Sequence, residues 1–191
     1  MTLALAKSPQ TLRLNLGCGN DIKAGYVNVD AYALPGVDCV HDLNVGWWPW
    51  DDDSVSEVLL HNVMEHLPDT VAVMKELYRI CRDGALVHIA VPHPRHDDFI
   101  SDPTHCRAIT QRTMELFSKK LCKAREKDAN NPLAVIHDVD FEIVKDCYVV
   151  EKRWMARVER KEIDEDQLRD AVLTFNNVVK QIEMTLKVVK P

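Results

Sequence analysis

The sequence predicts an α/β domain built on a mostly parallel sheet with helices on its faces. Five short apolar runs follow one another between Leu12 and Val91, each ends at a polar, glycine or proline residue, and an amphipathic stretch separates the fourth from the fifth. A chain of 191 residues holds one such domain with its own core, but not two of ordinary size.

The strands are expected in order. Leu12 to Leu16 leads into Gly17-Cys18-Gly19, Tyr26 to Val29 ends at Asp30, and Val37 to Val40 leads to Asp42. Val55 to Leu60 ends at His61, and Ala85 to Val91 ends at Pro92. Open parallel sheets bind ligands beyond the carboxyl ends of their strands, so chemistry is expected at these terminating residues. Pro68-Asp69 opens a helix with Val73, Met74, Leu77, Ile80 and Cys81 on one face, and Asp83-Gly84 closes it. A second helix is expected from near Thr110, carrying Met114, Phe117 and Leu121, followed by an exposed loop from Lys123 to Asn131. Phe141 to Val150 and Arg153 to Val158 read as a terminal antiparallel strand pair.

Asp164, with Gln167 three residues on, has the pattern of a capped helix start, and the helix is expected to run to about Lys187. Leu168, Ala171, Val172, Phe175, Val178, Val179, Ile182 and Leu186 would form one apolar stripe along it. Residues 1–161 are therefore expected as the sheet domain and 162–191 as a C-terminal helical extension. Such a stripe must pack on its own sheet, cover an open side of the domain or pair with its copy. A homodimer through this helix is the expectation.

Composition excludes several classes. Apolar residues at 46% and charged residues at 28% describe a globular chain, and a net charge of -6 counts against an extended nucleic-acid surface. No run approaches the roughly 18 apolar residues of a membrane span, and the first ten residues lack the pattern of a secretory signal. Cys18, Cys39, Cys81, Cys106, Cys122 and Cys147 form no Cys-x-x-Cys pair. The expectation is a soluble, cytoplasmic protein without membrane contact or structural zinc.

The first loop, Leu14-Asn15-Leu16-Gly17-Cys18-Gly19-Asn20, places two glycines where a ligand can approach bare backbone. Ile22 stands where a dinucleotide fold has its third glycine, and Asp30 follows after too short a gap, which disfavours nicotinamide or flavin. An acid ending the second strand still suits ribose hydroxyls, which donate to a carboxylate. Further along come His41-Asp42-Leu43, Pro49-Trp50 before Asp53-Ser54, Glu65-His66-Leu67, and Glu76-Leu77-Tyr78-Arg79-Ile80 leading to Asp83-Gly84-Ala85.

Together with Leu16 to Gly19 and Val29-Asp30, these pieces resemble the class I S-adenosylmethionine-dependent methyltransferases, type 11 group, from Leu12 to about Leu121. The resemblance implies a Rossmann-like methyltransferase fold with S-adenosylmethionine as cofactor. It implies that the backbone of Gly17, Cys18, Gly19 and Asn20 holds the methionine part, Asp30 the ribose, and Asp42 with Leu43 the adenine, with His61 and Asn62 near the sulfonium and Asn15 as a further cofactor-binding residue. The sequence departs from the family in two places. Only Asn20 to Gly25 separate the glycine loop from the second strand, where the family has a helix, and the usual helices before the first strand are missing.

The segment Pro92 to Arg107 resembles the Asp-Pro-Thr-His-x-Arg loop of a type 11 subgroup associated with surface-glycan gene clusters, which implies a glycan-like acceptor. Its His93, His96 and His105, with Asp97, Asp98 and Asp102, have three readings: bases or orienting groups for an acceptor, a divalent-metal site with Glu65 and His66, or a self-satisfied rigid loop. Trp50 is read as a core aromatic, Trp47 and Trp48 as core, adenine-stacking or acceptor-lining, and His88 as a satisfied core histidine. The expected function is O-methylation of a small-molecule or glycan-like hydroxyl, with His105 as favoured base and His66 second. The rivals are a nucleic-acid methyltransferase and a non-catalytic cofactor-binding or assembly module. No Pro-Cys and no Asn/Asp-Pro-Pro-aromatic motif supports the nucleic-acid reading.

Overall fold

The computed structural model describes residues 11–126 and 131–191. Among them, no helix is long and apolar enough to cross a membrane. The chain runs β1 (Leu12–Leu16), β2 (Val27–Asp30), β3 (Cys39–Val40), β4 (Val55–His61), α1 (Thr70–Ile80) and β5 (Cys81–Pro92). Short helices follow: α2 (Asp97–Ile100), α3 (Gln111–Glu115), α4 (Lys119–Ala124) and α5 (Leu133–Ile136). The last part is β6 (Phe141–Val150), α6 (Lys152–Glu159), α7 (Glu165–Thr174) and β7 (Val179–Val188).

The seven strands lie in the order β3-β2-β1-β4-β5-β7-β6. The first five are parallel, and β7 is antiparallel to both β5 and β6. The five expected strands are present, with β5 starting at Cys81 rather than Ala85. The predicted architecture, a mostly parallel sheet with a terminal antiparallel pair, is the observed one.

One sheet face carries the core. Leu14 and Leu16 of β1, Val58 and Leu60 of β4, Val87, Ile89 and Val91 of β5, and Ile182, Met184, Leu186 and Val188 of β7 pack with Val73, Met74, Leu77 and Ile80 of α1. Asp69 caps α1, its side chain accepting from the Ala72 amide at 2.9 Å. Trp48 and Trp50 are buried with this cluster, whereas exposed Trp47 lies under the Arg79 guanidinium, 3.9 Å from its centroid.

The link between β1 and β2 is a turn without a helix. A parallel crossover usually takes a dozen or more residues, and here a buried polar network closes a shorter one. Asn15 Nδ2 donates to Asn28 Oδ1 (3.0 Å) and to the Asp21 carbonyl (2.8 Å), while the Lys23 amide donates to Asn28 Oδ1 (2.8 Å). The Asn28 amide donates in turn to Asp38 Oδ2 (2.8 Å). Each buried amide side chain thus has partners, as burial demands. The departure expected before β1 concerns residues 1–10, which lie outside the described residues.

The C-terminal expectations need correction. Arg153 to Val158 is helical, within α6, and Arg157 lies over the Trp154 ring (4.8 Å), a pairing of positions three apart that a helix brings onto one side. The capping box of Asp164 and Gln167 is present, with bonds of 2.8 and 3.0 Å, but its helix ends at Thr174. Val179–Val188, read as the rest of that helix, is a strand whose Ile182, Met184, Leu186 and Val188 are buried alternately. Segment 162–191 therefore supplies an inner strand of the sheet, and the dimer expected through a long helical stripe loses its interface.

The helix expected from Thr110 divides in two. A Thr110/Thr113 capping box starts α3, and Ser118 starts α4 by accepting from the Leu121 amide at 3.4 Å. α4 takes in Lys123 and Ala124 of the expected loop, and residues 127–130 of that loop lie outside the described residues.

Leu168 and Leu186 belonged to the same expected stripe, but Leu186 is fully buried in β7 and Leu168 is only half-buried on α7. Leu186→Ala should lower stability by about 2–5 kcal/mol, and Leu168→Ala by less than about 1 kcal/mol. Urea unfolding of the two variants checks this; equal losses would favour a continuous helix.

Candidate active site at the carboxyl edge of the sheet

The order of strand addition reverses between β1 and β4, the place where an open α/β sheet has its crevice. A cleft of about 470 Å³ lies there. Four strand ends converge on it: Gly17 after β1, Asp30 to Tyr32 at β2, His41 to Asn44 after β3, and Asn62 and Val63 after β4. His66, Leu67 and Thr104 complete the wall.

Gly17 has a left-handed backbone (φ +63), and a Cβ there would come within 2.5 Å of Val63 Cγ2. Bare backbone is therefore what lets the first loop pass the residues after β4. The Gly19 amide donates to Asp30 Oδ2 (2.8 Å) and the Tyr32 amide to Asp30 Oδ1 (3.0 Å), fixing the carboxylate at the rim while leaving each oxygen capacity for another donor. Asp42 Oδ1 accepts from the amide and the side chain of Asn44, both at 2.9 Å. Asn62 takes the left-handed conformation (φ +54), which asparagine tolerates better than most residues, and its amide donates to the Ala90 carbonyl (2.8 Å).

Of the residues expected to hold a cofactor, Gly17, Asp30, Asp42, Leu43 and Asn62 line this cleft. Asn15 does not: it is buried in the β1–β2 network. Cys18 is buried with its amide on the Val29 carbonyl, Gly19 braces Asp30, and Asn20 is exposed beyond the cleft lining. His61 points to the opposite sheet face, where a second cleft of about 610 Å³ is lined by Glu57, Leu59, His88, Lys145 and Glu183 among others. His88 is satisfied there by Thr185 Oγ1 (3.1 Å) and Glu57 (3.2 Å), on a polar face and not in the core. Tyr32, Asn44 and His41 line the first cleft without having been singled out from sequence.

The loop after β5 folds back onto the single 3-10 turn Met64–His66. The Cys106 and Arg107 amides donate to the Glu65 carbonyl (2.9 and 3.1 Å), and Arg107 Nε to the Pro68 carbonyl (2.7 Å). His96 is structural: Nδ1 accepts from the Asp98 amide (3.0 Å), so Nε2 donates to Glu151 (3.2 Å).

His66 and His105 come together edge to face, ring centroids 4.6 Å apart. His105 Nδ1 donates to the Phe99 carbonyl (2.9 Å), since a carbonyl only accepts. Thr104 gives its single hydroxyl proton to Asp102 (2.6 Å), so it must accept from His66 Nδ1 (2.9 Å). Both rings are thereby left with Nε2 outside any hydrogen bond. His66 lines the cleft, whereas the His105 side chain is 7% exposed and sits behind it. Burial lowers the pKa of His66, with the neighbouring His105 adding to the effect, so its neutral form is favoured.

No protein-family model and no curated protein matches the chain. Solved structures do. A methyltransferase dependent on S-adenosylmethionine from Archaeoglobus fulgidus aligns with a TM-score of 0.60 at 16% identity, over 94% of this chain and 87% of the other. A putative one from Listeria monocytogenes aligns at 0.53 and 13% identity, over 95% and 92%. The chain has the fold of the S-adenosylmethionine-dependent methyltransferases. The same fold is shared by the [4+2]-cyclase SpnF, at 0.54 and 12% identity over 95% and 76%.

Gly17→Ala combines a disfavoured backbone with a collision against a buried, β-branched side chain, and should cost about 1–3 kcal/mol of stability. Gly19→Ala, whose Cβ would meet nothing within 4 Å, should cost about 1–2 kcal/mol at most, from backbone conformation alone. Denaturant unfolding of both variants measures the difference; a costlier Gly19→Ala would contradict the close approach at Val63.

Proposed function

We propose that this chain transfers a methyl group from S-adenosylmethionine to a hydroxyl of a small-molecule or glycan-like acceptor. The observation that carries the reading is the convergence of Gly17, Asp30, Asp42, Leu43 and Asn62 on one cleft at the strand-order reversal. A cofactor laid across it would meet the bare backbone of the first loop with its methionine part. Its ribose hydroxyls would meet Asp30, and its adenine Asp42 and Leu43. The sulfonium end would then lie toward Asn62 and His66.

Methyl transfer from a sulfonium is an in-line displacement: the O–CH₃ bond forms as the S–CH₃ bond breaks, sulfur becomes a neutral thioether, and the hydroxyl proton leaves. Most of what a protein contributes is alignment and an acceptor for that proton. His66, which lines the cleft and favours its neutral form, is the group we assign to the proton, through its Nε2, with His105 positioning it from behind. This reverses the order expected from sequence, where His105 came first. The net charge of -6 supports a small acceptor over a nucleic acid, whose phosphates such a surface repels.

Calorimetry with S-adenosylhomocysteine tests the reading. The folded protein should bind it one to one and show no comparable heat with NAD. Asp30→Ala should weaken binding by about 1–3 kcal/mol, the scale of a lost charge-assisted hydrogen-bond site. NAD binding without a response to S-adenosylhomocysteine would overturn the proposal, and unchanged affinity in a folded Asp30→Ala would remove the ribose assignment.

A further inference from the structure

Glu65 is fully buried, and neither of its carboxylate oxygens has a hydrogen-bond partner. A buried carboxylate in that position lacks the compensation that burial normally requires. Its surroundings supply none: the Glu65 backbone carbonyl accepts from the loop, but the side chain faces His66 and His105, whose Nδ1 protons are both committed elsewhere. One ligand atom from each of Glu65, His66 and His105 lies within 4.8 Å of the other two.

We propose that Glu65, His66 and His105 form a binding site for a divalent first-row transition cation. Two imidazoles and one carboxylate are the donor set that zinc takes in sites keeping an open position, and two nitrogens disfavour magnesium and calcium, which prefer oxygen. The hydrogen bonds already present are those of metal-ligating histidines: His105 Nδ1–H on a backbone carbonyl, and His66 Nδ1–H on Thr104, itself anchored to Asp102. Ligands ~2.0–2.1 Å from a zinc-sized ion sit roughly 3.3 Å apart, so the set closes on a cation by side-chain movements of roughly 1 Å. The charge also fits, because the cation supplies the partner that the buried carboxylate lacks.

The site stands whether or not the adjoining cleft takes S-adenosylmethionine. If it does, the cation would occupy the His66 nitrogen assigned above to the acceptor's proton, and the acceptor oxygen would be held by the cation instead.

The full chain, stripped with a chelator and dialysed, is titrated with Zn²⁺ by calorimetry and with Co²⁺ by visible absorption. One equivalent should bind, with Co²⁺ giving ligand-field bands. Thr104→Val, which removes the hydroxyl that links His66 Nδ1–H to Asp102 but none of the three ligands, should weaken binding by roughly 10- to 100-fold. Glu65→Gln and His105→Ala should weaken it further, each with circular dichroism to show a folded chain. Failure of the folded wild-type chain to bind either ion would overturn the proposal. So would wild-type affinity in folded Glu65→Gln or Thr104→Val, because the ion would then sit elsewhere. Titrating S-adenosylhomocysteine separately keeps the two readings apart: either can fail while the other survives.

Discussion

The candidate site depends on one constraint, the parallel pairing of β1 with β2 on one side and β4 on the other. Because the chain adds strands in opposite directions from β1, the segments leaving β1 and β4 part, and a crevice opens between them. The register sets what faces it. Leu16 pairs with Val29 and Leu60, so Gly17 and Asp30 follow at about the same height and face the crevice, while His61, level with them, turns to the opposite sheet face. The left-handed turn at Gly17 lets bare backbone pass close to Val63, and Asn62, also left-handed, turns the chain at the end of β4.

The same arrangement explains a polar interior on a chain with few residues between β1 and β2. Asn15, Asn28 and Asp38 take over the connection that a crossover helix would provide, holding the loop by hydrogen bonds instead of apolar packing. Without that helix, the sheet face bearing Glu57, His88, Glu183 and Thr185 carries a polar cleft, and its side chains pair along the sheet: Arg13 with Glu57, Glu57 with His88, His88 with Thr185. Alternation along the strands thus separates an apolar face, packed against α1, from a hydrophilic one.

Much of this was legible in the sequence, and the failures have physical causes. The first five strands were readable because each apolar run is short and bounded by glycine, proline or an acid. Gly17, Asp30 and Asp42 were readable because strand ends are where ligands bind. The C-terminal third misled because Val178, Val179, Ile182 and Leu186 fit helical spacing, while Met184 and Val188, which complete a strict two-residue alternation, were left out of the pattern. A true helix start at Asp164 strengthened the wrong continuation. Asn15, Cys18 and Gly19 sit beside the cleft but face inward or brace a neighbour, a distinction that chain position alone cannot make. The meeting of Glu65 and His66 with Thr104 and His105 spans about forty positions and arises from the loop after β5 folding back onto the 3-10 turn, so sequence offered the residue types without their hydrogen bonds. Nor does fold decide chemistry, since one solved neighbour with this fold is a cyclase.

Because the opposite sheet face carries a cleft of comparable size, the measurement closest to the central claim is where the ligand sits. Amide chemical shifts of the isotope-labelled protein, followed as S-adenosylhomocysteine is added, report this residue by residue. The account predicts saturable shifts at Gly17 to Asn20, Asp30 to Tyr32, Asp42 to Asn44 and Asn62 to His66. Shifts confined to Glu57, His88, Glu183 and Thr185 on the opposite sheet face, or no saturable shifts at all, would contradict it.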